Sequence, residues 1–311
     1  MGTLHAMFVD PFAQMWDNPE FLLEVVIGGL LSGVLYSLVA LGYVLIYKAS
    51  GVFNFAQGTM VLFAALTFSG CIDLHVPIWL AFIIVIAVMV VLAFGVERVV
   101  LRPLVNQEQI ILFMATIGIT YFLRGLGQII WGGNVRTLDI GLPKAPMIIG
   151  GVLVNAFDLV SAAAAGSLVA ILAVFFQKTA VGRALRAVAD DHQAALAVGI
   201  PLKTIWVIVW TTAGIVALVA GILWGTNLGV QFSIELVALK ALPVLILGGF
   251  TSVPGAIVGG LIVGAGEKVA EVFWGPALGG AIEDWFAYML ALAFLLIRPQ
   301  GLFGERIIER V

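Results

Sequence analysis

Cys71 is the single cysteine of a 311-residue chain, and its three histidines, His5, His75 and His192, are far apart in sequence. No internal disulfide can form, no ligand spacing is present, and no metal site is expected. No nucleophile–base pair stands out, so no catalytic residue is assigned and the chain is not read as an enzyme. The sequence contains no Gly-Lys dipeptide, hence no phosphate loop. Any step driven by ATP would need its nucleotide site on another chain.

What remains are polar groups set inside apolar sequence. The run 48–58 (KASGVFNFAQG) carries Asn54 and Gln57 around Phe55, and the run 248–255 (GGFTSVPG) carries Thr251 and Ser252. An amide in hydrocarbon is costly unless it finds a partner or water. Each run lies between two apolar stretches, one early and one late, and broken helices at comparable places in two halves point to a solute pathway. Asn54, Phe55, Gln57, Thr251 and Ser252 are therefore candidate pathway residues. Asn54 can equally cap a helix, and 251–255 can be an ordinary turn.

The longest hydrophilic segment is 178–201. It reads as one helix from about Gly182 to Val198, with Gly199 at the left-handed cap position and Pro201 just beyond. Leu185, Val188, Ala189, His192, Ala195 and Leu196 would share one face, with Arg183, Arg186, Asp190 and Gln193 on the others. Such a helix, held between two apolar stretches, is a docking surface.

The elements that must position these groups follow from composition. Hydrophobic residues make up 62% of the chain and charged residues 11%, with mean hydropathy +1.15. A solvated domain carries roughly 25% charged residues, which excludes soluble enzymes, nucleic-acid binders and disordered scaffolds. A net charge of −3 gives no reason for a polyanionic partner such as nucleic acid. Apolar stretches of about membrane size, most of them free of charge, occur at 25–47, 49–72, 76–96, 109–123 (continuing to about 131), 159–177, 204–226, 237–250, 255–273 and 285–297. No period-2 alternation runs through them, so they read as helices in an all-α, polytopic transmembrane bundle of eight or nine spans.

Basic residues choose the orientation. Lys48, Arg98, Arg102, Lys178, Arg183, Arg186, Lys203, Arg298, Arg306 and Arg310 fall on one side of a nine-span chain, Arg136 and Lys144 on the other. Ten against two puts the N-terminus outside and the C-terminus in the cytoplasm. Arg124, Lys240 and Lys268 remain in or at the ends of spans. Lys240 follows Glu235 by five residues, so an intrahelical pair or snorkelling would explain it.

The chain divides into an external or interfacial segment (1–24), a membrane domain (25–304) and a cytoplasmic tail (305–311). Within the domain, 132–158 forms an external loop with a small hairpin over 147–154, and 179–203 holds the cytoplasmic helix. No removable signal peptide is expected. Phe8, Phe12 and Trp16 recur every four residues, which suits one face of a short interfacial helix. Glycines at four-residue spacing, Gly29/Gly33, Gly221/Gly225/Gly229, Gly255/Gly259 and Gly260/Gly264, suit close helix packing in lipid.

Residues 193–199 (QAALAVG) resemble the Glu-Ala-Ala-x-x-x-Gly loop of ATP-binding-cassette importer permeases, with Gln193 where glutamate is commonest. The runs 47–58, 179–187 (TAVGRALRA), 240–256 (KALPVLILGGFTSVPGA) and 298–304 (RPQGLFG) occur in that order. Together they resemble the branched-chain-amino-acid-type permeases of these importers, and specifically the first of the two permease subunits. The resemblance runs from about Gly28 to Gly304.

It implies a multi-pass protein of the bacterial inner membrane that works with a second homologous permease, two ATP-binding subunits and a periplasmic substrate-binding protein. ATP and magnesium would sit on the ATPases, and this chain would hold no cofactor. Arg183, Arg186, Asp190, Asp191, Gln193, Ala194, Ala195 and Gly199 would couple to the ATPase. The solute would be small and polar, with branched-chain or related amino acids foremost. Related systems carry urea, short amides and carboxylates, and many relatives read Asn-Phe-Ala-His-Gly-Glu where this chain has Gln57 and Thr59. An ion-coupled carrier and a simple pore are the competing classes, the carrier weakened by the scarcity of mid-span carboxylates.

Overall fold

The computed structural model describes His5 and residues 9–104 and 107–304, with His192 described for its backbone alone. Phe8 of the aromatic face, Arg306 and Arg310 of the basic set, and the 305–311 tail lie outside the described residues.

Among the described residues the fold is helical, apart from one hairpin. In chain order the helices are α1 (Asp10–Asp17), α2 (Pro19–Ser50), α3 (Gln57–Asp73), α4 (Ile78–Gly95) and α5 (Gln109–Trp131). After strands β1 (Pro146–Ile149) and β2 (Val152–Asn155) come α6 (Ala156–Lys178), α7 (Ala180–Asp190), α8 (His192–Ala197), α9 (Leu202–Leu228), α10 (Val237–Gly248), α11 (Val253–Leu278) and α12 (Glu283–Ile297). A π-turn over Val96–Leu101 and a 3-10 turn over Arg102–Leu104 prolong α4, and a 3-10 turn over Phe232–Leu236 leads into α10. By length and composition, five helices can cross a membrane, or six if the pair Phe232–Gly248 and Val253–Leu278, bent by 114°, is one broken span. α3 and α12 are shorter, at 17 and 15 residues.

The chain divides into two compact units. One comprises the described parts of Met1–Ser37, Gly141–Gly166 and Lys240–Val311. Here the start of α2 crosses α11 with the two backbones nearly touching: a Cβ added at Gly29 would lie 2.6 Å from the Gly264 carbonyl oxygen, and one at Gly33 2.5 Å from that of Gly260. Two of the four-residue glycine pairs thus face each other, the approach that lets dispersion and backbone contact hold helices together in lipid. α11 starts at Ser252, whose Oγ accepts from the Gly255 N–H at 3.0 Å. It turns back on α10 through Gly255 and Gly259, where an added Cβ would meet the carbonyl oxygens of Gly248 and Val244. The segment after α12 returns to the same place, Leu302 and Phe303 donating to the carbonyls of Leu247 and Gly248 at the end of α10. In the hairpin Ile149 pairs with Val152, and Gly150 and Gly151 both take positive φ, the backbone of a tight two-residue turn.

The other unit comprises Leu38–Ile140 and Ser167–Leu239. Its centre is α3, buried from Gln57 to Cys71 and packed on α9, α5 and α4. Gly221 of α9 brings the α3 backbone close, an added Cβ falling 2.6 Å from the Val61 carbonyl oxygen. Gly225 meets Val230, and Gly229, just past α9, lies beside Val135. Buried hydroxyls satisfy themselves on the preceding turn, as Thr67 does on Phe63 O and Thr226 on Ile222 O.

Three sequence expectations need correction. Ala49 and Ser50 finish α2 rather than opening the next span, which begins at Gln57 after the turn 51–56. The single helix over 182–198 is two helices, because Asp191 is extended (φ −158°, ψ 114°) and caps α8. The shared apolar face breaks with it: Leu185, Val188 and Ala195 are buried, whereas Leu196 is exposed. Lys240 does not pair with Glu235, which binds Arg124 at 3.1 Å instead.

Candidate functional site

The turn between α2 and α3 is built by its own polar groups. Asn54 is buried, and its Oδ1 accepts from the Ala56 N–H at 3.1 Å while its carbonyl accepts from the Gln57 N–H at 3.3 Å. Its Nδ2 lies 3.7 Å from the Met60 sulfur. Most of this amide is therefore spent on closing the turn, the local competition that draws asparagine to such places. Phe55 is exposed; its N–H donates to Thr116 Oγ1 at 3.1 Å, and its ring meets Phe53 and Phe113 edge-on.

Gln57 differs from Asn54. It is buried at the first position of α3, its Nε2 donates to the Ala213 carbonyl at 3.3 Å, and its Oε1 has no hydrogen-bond partner. Gly42 lies against the same amide, 2.5 Å from Nε2 for an added Cβ. A buried acceptor left open is expensive and offers a place for an N–H or ammonium donor. Of the pathway candidates in the other unit, Ser252 is occupied as the cap of α11, and Thr251 is half-buried in the turn before it.

The connection 179–200 is anchored at its start and open at its end. Thr179 caps α7, accepting from the Gly182 N–H at 3.3 Å. A Cβ at Gly182 would fall 1.7 Å from the Phe176 carbonyl oxygen, so α7 leaves α6 at an angle only glycine permits. Arg186 donates to the carbonyls of Phe176 and Gln177, at 2.8 and 3.4 Å, and Arg183 to that of Lys178 at 3.4 Å. Both guanidiniums thereby serve the open carbonyls at the end of α6. Asp191 Oδ1 accepts from the N–H groups of Gln193 and Ala194, and Gly199 takes φ +85° to end α8, with Ile200 N–H bonded to the Ala195 carbonyl. Asp190, Gln193 and Ala194 are exposed, as are the apolar Leu196 (52%) and Val198 (76%).

A charged cluster in the first unit was missed from sequence. Lys240 Nζ lies 3.1 Å from Asp284, 3.3 Å from Glu283 and 3.9 Å from the buried Glu267, which also accepts from the Tyr36 hydroxyl. Lys268 joins Glu283 at 3.1 Å, and Glu271 accepts the N–H groups of Ala281, Ile282 and Glu283 ahead of α12. The available signal was a set of opposite charges in or beside apolar runs, each of which needs a partner there.

Residues 25–298 match the family model described as "Branched-chain amino acid transport system / permease component". The chain is 29% identical over 307 residues to the high-affinity branched-chain amino acid transport system permease protein BraD of Pseudomonas aeruginosa, covering 93% of this chain and 98% of that one. It is 28% identical over 310 residues to the corresponding LivH protein of Salmonella typhimurium, covering 94% and 98%. A solved structure, PsaBC from Streptococcus pneumoniae in complex with Fab, aligns over 96% of this chain and 98% of its own with a TM-score of 0.47 and 13% identity.

Proposed function

The chain belongs to the branched-chain amino acid transport permease family, and from that membership we propose that it is the membrane-spanning permease subunit of an ATP-binding-cassette importer in the bacterial inner membrane. It works beside a second homologous permease, with two ATP-binding subunits carrying ATP and magnesium on the cytoplasmic side and a periplasmic binding protein delivering solute. The solute is a branched-chain or related amino acid, as the names of the relatives suggest. The chain crosses the membrane eight or nine times, nine crossings leaving the N-terminus outside and the C-terminus inside, and performs no bond chemistry itself.

One observation carries the reading: the exposed end of the 179–200 connection. Leu196 and Val198 present apolar surface beside Gln193 and Ala194, on a segment rigidly tied to α6 through Gly182 and Arg186. A motor subunit seated on α8 would move α6 and α9 through these ties, and a nucleotide state that binds one arrangement better shifts the population toward it. Gln57, with Asn54 and Phe55 beside it, lines part of the solute route; Thr251 and Ser252 belong to the second break.

Replacing Gly199 with valine tests the coupling, because a β-branched residue is strained at φ +85°. In proteoliposomes holding the full complex, uptake should fall at least about tenfold while ATP hydrolysis and membrane insertion persist. Full uptake in this variant would remove α8 from the coupling path. Solute identity is read in the same system: labelled leucine, isoleucine and valine should be taken up, with urea and benzoate failing to compete. Gradient-driven uptake by the lone chain would overturn the importer assignment.

A further inference from the structure

Arg98, Arg102 and Lys203 open onto one cleft of about 430 Å³ in the second unit. Arg98 sits in the π-turn and Arg102 just after it, while Lys203 and Thr204 belong to the first turn of α9. The ion pairs formed among the described residues involve none of these three cations. Among the other cations, Arg124, Arg136, Lys240 and Lys268 pair with carboxylates, and Arg183 and Arg186 with carbonyls.

The cleft is also amphipathic. Phe94, Val207 and Ile208 form its apolar wall. It lies at the charged end of the 78–104 helix, the most apolar of the candidate spans and one whose apolar surface this chain leaves mostly uncovered. Cations without a carboxylate partner at the end of such a helix, Arg98 resting 6.0 Å from the Phe94 ring centroid, with the N-terminus of a second helix beside them, suit a phosphate whose tails remain in the membrane. The remaining wall residue, Glu97, is a buried carboxylate. It leaves an excess of two positive charges, enough for one anionic headgroup, and its carboxylate can accept from headgroup hydroxyls.

We propose that this cleft binds the headgroup of an anionic phospholipid of the phosphatidylglycerol type. The first test uses the detergent-purified full chain and follows thermal unfolding against added phosphatidylglycerol, phosphatidylcholine or inorganic phosphate. Phosphatidylglycerol alone should raise the midpoint, and the gain should shrink with salt. Equal shifts with both lipids, or a shift reproduced by inorganic phosphate, would overturn the proposal. The second test compares variants: Arg98→Gln and Lys203→Gln should each weaken phosphatidylglycerol binding roughly fivefold, with Lys144→Gln unchanged. If wild-type protein shows no lipid preference and Lys203→Gln instead loosens capture of the ATPase subunit, the cleft is a protein contact and the lipid assignment fails. The wild-type comparison decides the matter even if a variant does not fold.

Discussion

Gln57 is the residue at which the proposed solute route is most exposed to test. Its Oε1 is buried without a donor, and an unmet acceptor costs about 1–3 kcal/mol. A passing solute that donates a hydrogen bond would relieve that cost for as long as it stays. Gln57→Leu keeps the bulk and deletes the amide, so uptake should fall at least about tenfold with little change in the thermal midpoint. A variant with normal uptake kinetics would reduce Gln57 to packing. Gly42→Ala should act on the same amide from outside, because the new methyl would lie 2.5 Å from Nε2. Asn54 has less freedom, its oxygen being engaged with Ala56. Both roles for Asn54 are open in the sequence, and the turn geometry explains why: a residue that terminates one helix and starts another needs the same short amide that a polar pathway would use. A sharper contrast separates two glycines. Gly182→Ala should destabilise the chain severely, since its Cβ would overlap the Phe176 carbonyl, whereas Gly28→Ala, with open space around it, should be silent in thermal unfolding.

At the scale of elements, α10, α11 and α12 are tied by charge as well as by packing. Lys240 lies within ion-pair distance of Glu267, Glu283 and Asp284 and is the cation nearest the buried Glu267, so Lys240→Met leaves a buried carboxylate uncompensated, a change worth about 3–5 kcal/mol in buried pairs. The thermal midpoint should drop by several degrees, and adding Glu267→Gln should restore part of the loss. An unchanged midpoint in the single variant would show the cluster to be solvated. The breaks at 51–56 and 249–252 are legible in the sequence because glycine, proline and asparagine act locally. The same holds for the hairpin turn at Gly150-Gly151. The partners of Lys240 are not, since Glu267 and Glu283 lie 27 and 43 residues onward and only the fold brings them near. The break at Asp191 is hidden for a different reason: Asp190 and Asp191 fit the polar side of a helix, and the competing tendency of aspartate to cap the next one prevails. The pairing of 298–304 with the end of α10 joins two runs of the family pattern that look independent in sequence.

For the molecule as a whole, the number of passes turns on α10. Its 12 residues rise roughly 18 Å against a hydrocarbon layer of about 30 Å, so it completes a pass only with the 3-10 turn before it and the bend after it. Side-specific labelling of single cysteines resolves this by parity. The native Cys71 is buried and can be replaced with alanine as background. Trp16, Ile148, Val198 and Phe303 are all exposed and serve as reporter positions. Four helices, α2 to α5, separate Trp16 from Ile148, so both should react with an impermeant maleimide from outside. Between Val198 and Phe303 lie α9, α10, α11 and α12. If each crosses, the two positions share the cytoplasmic side and react only after permeabilisation. If α10 re-enters without crossing, Phe303 emerges outside and reacts in intact cells while Val198 does not. The second outcome would place Arg298 on the outer face, against the distribution of the other basic residues, and that asymmetry is the physical reason to expect the first.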